Sequence, residues 1–554
     1  PLPSKTKYPP KQQPRLRPEI MNDTQRQARN EALSVLEQFT PTATSLISYQ
    51  SNGRVFGFGS SAALRLCNDF AKPLTLIRVP VAIAVKGSPL KGVFSFDQKQ
   101  IDIEGYLGQF IIRLTDEQGV SETLEADIIL DLNPEPLIKH DILPPGYLHR
   151  TITAQNRSAL EREILDLTGE FEKPKYFNYD AGLCAHGVNG RTVCSNCIDA
   201  CPATAIKSLV EIIEVNPYLC QGGGTCATVC PSGAIQYAYP RLTDSGNQIR
   251  KMLVAFRDQG GEQPVVVFHS GDAISSALMD RHGGLLPVRV EEIASVGIDL
   301  CLSALVYGAS QIVILADSNV PPLSIRHLGQ HLDWLGAILA GFRLDPQIVS
   351  LRQDLEDFVP SESGCSITPA IYGMPQQKRD AIFQAIDHLY QHSGKTRELV
   401  SLSAGAPFGA ATIDETRCTL CMACVSACPG KALQDGTNRE IPEVFFIESN
   451  CIQCGACTQT CPEQAISISP RLILDREKRN RSRALNQDIP FACISCGKPF
   501  APTSAILKIS NQLKDHYMFQ SDRALDRLKM CEDCRVVDIV QDPDALKGNF
   551  DPLN

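Results

Sequence analysis

The side chains with the most chemistry in this sequence are its cysteines, 22 in 554 residues. Eight fall into two runs of one kind, Cys418-x2-Cys421-x2-Cys424-x3-Cys428-Pro429 and Cys451-x2-Cys454-x2-Cys457-x3-Cys461-Pro462. Three cysteines on a tight loop present thiolates to three iron corners of a cubane, and the fourth of each run reaches across to the other cluster. This reading assigns Cys418, Cys421, Cys424 and Cys461 to one [4Fe–4S] cluster, and Cys428, Cys451, Cys454 and Cys457 to another. Structural zinc is the competing use of such thiols, and the Cys-Pro endings, rare in zinc sites, speak against it.

A second pair of runs lies between about 180 and 240, with two departures. The first half reads Cys184-x9-Cys194-x2-Cys197-x3-Cys201-Pro202. Counting back from Cys201 puts the usual first position at Arg191, so Cys184 must arrive through a longer loop. His186 is an alternative ligand, with a loop histidine the favoured reading. A [4Fe–4S] cluster then takes Cys184, Cys194, Cys197 and Cys230. In the second half, "CQGGGTCATVCP", Gly223 stands where the second cysteine of a complete run would be. Cys220 and Cys226, with Cys201 crossing over, leave three thiolates. They suit a [3Fe–4S] cluster, or a [4Fe–4S] cluster whose fourth iron takes water or another side chain. A degenerate half that binds nothing is the competing reading, and the three well-placed cysteines argue against it.

A third group, Cys493-x2-Cys496-Gly497 and Cys531-x2-Cys534, has no trailing proline. Two such knuckles make a tetrahedral four-sulfur site, expected to hold zinc in a ribbon-like tail and to act as a staple. A rubredoxin-like iron comes second and a further iron–sulfur cluster third. Cys67 and Cys301 sit on apolar helical patterns and read as core. Cys365 reads as a loop residue without a partner. Gly57-x-Gly59-x-x-Ala62 follows a strand pattern and precedes a helical one, the context of a dinucleotide fingerprint. The acidic residue expected at the end of the next strand is missing, and Arg78 lies there instead. A structural turn is therefore favoured over bound NAD or FAD. With no Walker A run, H-E-x-x-H or G-x-S-x-G, and with scattered histidines, no acid–base catalyst is expected.

The elements that must position these thiols are of mixed α/β type. Residues 1–25 are an extended Pro/basic arm, and 26–150 a Rossmann-like α/β domain. Residues 175–242 form a first dicluster ferredoxin module. Strands and helices alternate over 245–400 and imply a parallel, flavodoxin-like sheet. A second module spans 408–472, and a zinc-ribbon-like tail 488–540. "CPATAI", "CPSGAI", "CPGKAL" and "CPEQAI" form an internal repeat, read as a short helix starting at each cluster.

Apolar content of 43% and charged content of 21% are ordinary for a globular protein. The net charge of -9 is spread without single-sign blocks, so nothing points to nucleic acid or an anionic membrane. No stretch approaches the ~20 apolar residues of a transmembrane helix. Cysteines at metal-site spacing fit a reducing, cytoplasmic setting. The chain begins at Pro1 rather than Met, and its true start is left open.

The paired runs resemble the bacterial dicluster ferredoxins, which implies electron transfer between protein partners, with the cysteines above as ligands. The layout "VFHSGD … LPVRV … IDLCLSALVYGASQIVILAD" is similar to the delta subunit of methyl-viologen-reducing hydrogenase, though cysteines that could bind a cluster there are largely absent. Residues 45–135 faintly resemble the flavin-binding part of heterodisulfide reductase. The whole order, with its "CISCGKPF … MCEDCR" tail, resembles the large 4Fe–4S binding proteins that accompany bacterial formate dehydrogenases. The resulting expectation is a multi-cluster electron-transfer subunit of a hetero-complex, relaying electrons between redox partner proteins, with a formate dehydrogenase or related oxidoreductase complex as the setting the resemblance implies. It carries three or four [4Fe–4S] clusters, with a [3Fe–4S] cluster at the Gly223 site as the alternative there, and zinc. A flavin- or cluster-dependent oxidoreductase and a maturation factor are the alternatives.

Overall fold

The computed structural model describes residues 23–60, 101–115, 121–271, 282–361, 364–394, 396–436, 441–519 and 521–543, with short pieces between 63 and 94 and single residues at 119 and 274. Most of the Pro/basic arm, Arg78, Ala62 and most of the helix expected after Gly59 lie outside the described residues. Among the described residues no helix is long and apolar enough to cross a membrane.

The N-terminal unit is built on a parallel five-stranded sheet in the order Val93–Phe94, Ala82–Ala84, Val55–Phe58, Ile128–Asp131, Tyr147–His149. Strand side chains alternate faces, and each face here has its own core. Val55, Ile128, Leu130 and Leu148 pack with Leu160 and Ile164. Phe56, Phe58, Ile129 and Tyr147 pack with Phe110, Ile112 and Leu114. The last three are the inward residues of Phe110–Thr115, the middle strand of an antiparallel three-stranded sheet.

Both ends of this unit differ from the expected 26–150. The helix Asp23–Glu37 buries Ala28 and Ala32 in the core of the middle unit, against the helix Leu242–Asp258. Its small residues allow close approach to another helix, and periodicity shows which face is buried without showing against what. At the other end, Leu46–Ser51 pairs antiparallel with Gly169–Pro174, carrying the unit past residue 150.

The middle unit holds a parallel sheet in the order Leu285–Arg289, Val265–His269, Gln311–Leu315, Val349–Arg352. The helix Ile298–Val306 is buried along its whole length, Cys301 included, because helices pack around it as well as the sheet. Cys365, expected in a loop, lies in a turn-free segment but inside this same core.

Between and after these units lie two small regions of matching plan. In the first, Phe177–Tyr179 pairs with Ile235–Tyr237 and Ile206–Ser208 with Ile213–Val215. In the second, Gly409–Ile413 pairs with Ile466–Ile473 and Leu433–Asp435 with Glu443–Phe446. Cysteines replace much of the apolar core a region this small cannot build: Cys230 and Cys451 are buried, and most of the others pack around them.

Candidate metal centres

The structure brings the cysteines together in the sets the spacing suggested. One cavity is lined by Cys201, Cys220 and Cys226. A second is lined by Cys428, Cys451, Cys454 and Cys457. A third is lined by Cys418, Cys421, Cys424 and Cys461. Burial pushes the thiols of Cys194 and Cys197 up, and the neighbouring Cys230 and Cys184 thiols add to the shift. Those four therefore form the remaining set. We number the sets in spatial order: site 1 (Cys201, Cys220, Cys226), site 2 (Cys184, Cys194, Cys197, Cys230), site 3 (Cys428, Cys451, Cys454, Cys457) and site 4 (Cys418, Cys421, Cys424, Cys461).

The local backbone explains why the thiols converge. In the run from Cys451, Gln453 and Gly455 are left-handed; in the run from Cys418, Leu420 and Met422 are. The run from Cys220 has Gly222 and Gly224 at the same two offsets, also left-handed. The "CQGGGTC" loop therefore keeps the conformation of the complete runs. Gly222 and Gly224 are required twice over, since a Cβ would come within 2.9 Å of the Tyr176 ring and 2.7 Å of Ser295. Gly223 is not required: a Cβ there meets nothing closer than Pro202 at 3.5 Å and Ile142 at 3.8 Å. The missing thiol is a chemical difference without a steric cause.

The Cys-Pro-x-x-Ala repeat differs from the expected short helix. Short helices precede each Cys-Pro (Asn196–Asp199, Thr225–Val229, Ala423–Ser426, Ala456–Thr460), and the repeat itself is a turn that runs into a strand. The residue before the alanine is left-handed in all four copies: Thr204, Gly233, Lys431 and Gln464. In three copies that turn aims the alanine N–H at the cysteine sulfur, Ala205 to Cys201 at 3.3 Å, Ala432 to Cys428 at 3.2 Å and Ala465 to Cys461 at 3.3 Å. Donors directed at sulfur stabilise the thiolate form.

Cys184 reaches site 2 through a small hairpin, Gly187–Val188 with Arg191–Thr192. His186, beneath it, is 1% exposed. Its Nδ1 lies 2.7 Å from the Cys194 carbonyl and its Nε2 2.7 Å from Ser208 Oγ, so both ring nitrogens are engaged. It is a packing histidine in this structure.

These donor sets fit iron–sulfur clusters on chemical grounds. Burial pushes the Cys424 and Cys454 thiols up to about 11, helped by their neighbouring thiols. Cys226 is raised further by burial and by Cys201 and Cys220. Several enclosed thiols so close together ionise jointly only around metal cations.

Successive sites adjoin. Besides burial and its own set, the Cys226 thiol feels Cys197, Cys454 feels Cys194, and Cys457 feels Cys424. Those pairs connect sites 1 and 2, sites 3 and 2, and sites 3 and 4. A direct bond also joins the two regions, Arg191 Nη1 donating to the Gln459 carbonyl at 3.3 Å.

Residues distant in sequence hold this line together, and no local signal marks them. Lys173 Nζ donates to the carbonyls of Cys220 (2.7 Å) and Tyr218 (2.9 Å). Burial lowers this ammonium to about 8, against the pull of the Cys220 thiol. Lys378 Nζ donates to Ala227 at 2.9 Å, to Cys230 at 3.2 Å and to Thr228. Arg379 donates from Nη1 to Pro231 (3.1 Å) and Pro407 (2.9 Å), and from Nη2 to Ser449 (2.9 Å) and Cys451 (3.1 Å).

In the tail, the sulfurs of Cys493, Cys496, Cys531 and Cys534 all lie within 4.8 Å of one another. Cys493 follows a hairpin strand, Pro490–Ala492, and Cys531 caps the helix Glu532–Gln541. Desolvation raises the Cys493 thiol, but the backbone N–H groups of Cys531, Cys496 and Ser495 outweigh it and bring it down to about 6. A thiolate held by amides at a helix N-terminus is a ready metal ligand.

Of the dinucleotide candidate, Gly57 lies inside the strand Val55–Phe58 and Gly59 just beyond it. Leu132 presses against Gly59, 2.8 Å from where its Cβ would be. Ala62 is outside the described residues. Cys67 is buried in the core of the N-terminal unit.

The 4Fe-4S dicluster domain family matches residues 417–466, which hold sites 3 and 4. The 4Fe-4S binding domain family matches residues 213–236, the half that carries Gly223. No curated protein matches the chain. The chain is thus an iron–sulfur protein with two ferredoxin-type 4Fe-4S domains on a mixed α/β frame.

Proposed function

We propose that the chain is an electron relay with four iron–sulfur clusters at sites 1 to 4, in that order, passing electrons between redox partner proteins. The single observation that carries this is the direct junction of the two regions, where Arg191 Nη1, three residues before Cys194, donates to the Gln459 carbonyl, between Cys457 and Cys461, at 3.3 Å. It lets two dicluster regions act as one line, and a lone reaction centre would need no such line. The protein's part is to fix spacing, exclude water and direct N–H groups at sulfur; bound clusters supply the one-electron chemistry. Cys184, Cys194, Cys197 and Cys230 hold one [4Fe–4S] cluster, and the sets at sites 3 and 4 hold one each.

At site 1 the three thiolates suit a [3Fe–4S] cluster, because the side chains facing Gly223, Pro202 and Ile142, offer no ligand atom. A four-iron cluster with an oxygen ligand is the second reading. It is favoured by Tyr237, which lines the same cavity and whose hydroxyl has no hydrogen-bond partner among the described residues. The tail cysteines hold zinc and staple the C-terminal segment. The resemblance to proteins that accompany formate dehydrogenases makes such an oxidoreductase complex, in a reducing compartment, the setting we favour.

Iron, acid-labile sulfide and zinc analysis with EPR on anaerobically prepared protein tests this. Cys418→Ala and Cys451→Ala should each remove one low-potential [4Fe–4S] signal. An unchanged spectrum in both overturns the ligand assignment, and protein without sulfide overturns the relay.

A further inference from the structure

Three of the four sites receive a cation from outside their own region, on the peptide of a site cysteine. Lys173, from the strand Gly169–Pro174, is bonded to the Cys220 carbonyl of site 1 and lies 4.9 Å over the Tyr49 ring. Lys378 and Arg379 open the helix Lys378–His392 of the middle unit and point to opposite regions. Lys378 bonds the Cys230 carbonyl of site 2, and Arg379 the Cys451 carbonyl of site 3. The Arg379 guanidinium also lies against the paired Phe383 and Phe408 rings, 5.2 Å from each. Through Pro231 and Cys451 it bridges the chain leaving site 2 to a ligand of site 3.

Site 4 has no equivalent among the described residues. Lys508 approaches it but is paired with Glu463, which lines the same cavity, so that pair carries no net charge. Arg417, next to Cys418, is exposed, as is Cys421, and charge there is screened by solvent.

We infer that Lys173, Lys378 and Arg379 are potential-setting residues, raising the reduction potentials of sites 1, 2 and 3 and leaving site 4 the most reducing of the four. The inference rests on the relay reading. Reduction adds negative charge to a cluster, and a fixed cation in a poorly screened position stabilises that added charge. Hydrogen bonds to the ligand peptides transmit the same bias. Lys378 is the weakest of the three, because Asp299, buried and lining the same cavity, offsets part of its charge. Electrons supplied by a one-electron carrier protein at the exposed Cys421 end would then move downhill from site 4 into site 3.

The test is an EPR-monitored redox titration of the full, cluster-loaded chain, with Cys421→Ala identifying the site 4 signal by its loss. In the unaltered protein that signal should have the lowest midpoint potential of the set. Lys173→Met should shift the site 1 midpoint down and Arg379→Gln the site 3 midpoint, with a smaller shift at site 2 for Lys378→Met. Lys173→Arg and Arg379→Lys, which keep the charge, should stay near the unaltered values. A site 4 midpoint that is not the lowest overturns the inference, even where a variant fails to load its cluster. So do unchanged midpoints in Lys173→Met and Arg379→Gln with iron and sulfide retained. A chain without iron and sulfide fails the relay reading itself, a different result from clusters in the wrong order.

Discussion

The two ferredoxin-type regions share a plan and differ in where their constraints come from. The second is regular in sequence, with eight cysteines at standard spacing, and its Cys421 is exposed. The first has a displaced Cys184 and lacks one thiol, yet it is gripped from both sides. Lys173 reaches it from the N-terminal unit and Lys378 from the middle unit. Gly224 lies against Ser295, and Thr225 Oγ1 meets Ser324 Oγ at 2.8 Å, both side chains about 1% exposed. The second region is anchored too, through Arg379 on Ser449 and Cys451, so the difference is one of degree: where the motif is broken, the surrounding fold supplies more of the constraint.

Iron removal should break this comparison most strongly. Cysteines form much of both regional cores, so stripped protein should lose amide protection around Leu433 and Phe446 while the sheet carrying Val266 and Ile312 keeps it. The first region, held by its neighbours, should retain more protection than the second. Hydrogen exchange with mass spectrometry reads both, and equal loss would refute the distinction.

Gly224→Ala should come next. The added methyl meets Ser295 at 2.7 Å on a residue with φ of 76°. A destabilisation of about 1–3 kcal/mol by urea unfolding, with loss of the site 1 signal, is expected. Met422→Ala, at the corresponding left-handed place in the second region, adds nothing and should change stability far less.

Acid should reach the first region through its frame. His331, on the helix Pro322–Gly341 that also carries Ser324, is lowered by burial, and by Lys378 and His327, from 6.5 to about 3. Its folded value lies below its unfolded one, so the native state is favoured above pH 6.5 and loses stability as pH falls from there toward 3. Urea midpoints at pH 7 and pH 5 should show the loss, at most about 1.4 kcal/mol per pH unit, and His331→Gln should flatten it.

Thr225→Ala removes one buried hydrogen bond between the first region and the middle unit, and should cost about 0.5–1.5 kcal/mol. The smallest effect on stability belongs to Gly223→Cys. Its Cβ has ordinary contacts at 3.5 and 3.8 Å, so the variant should fold as well as the parent. It should also gain iron at site 1 and convert any three-iron signal to a four-iron one, making the two regions alike.

Much of this is legible in the residues, and the losses have identifiable causes. The four cysteine sets and the tail knuckles are legible, because a few residues of loop decide which thiols converge whatever surrounds them. The role of the Cys-Pro-x-x-Ala repeat is not. A left-handed residue at Thr204 or Lys431 has no side-chain signature, so a turn aiming an amide at sulfur looks like a helix start. Nor does the sequence show which unit the helix Asp23–Glu37 joins, since its pattern of small residues fits any facing helix.

Local spacing thus determined which thiols share a loop, down to Cys220 and Cys226 on either side of Gly223. Tertiary structure alone decided that the two cysteine regions meet, Arg191 on Gln459, and which site cysteines receive a cation. The reason is physical. A thiol on a short loop answers to its neighbours in sequence, whereas Lys173, Lys378 and Arg379 reach their carbonyls only once separate units have packed.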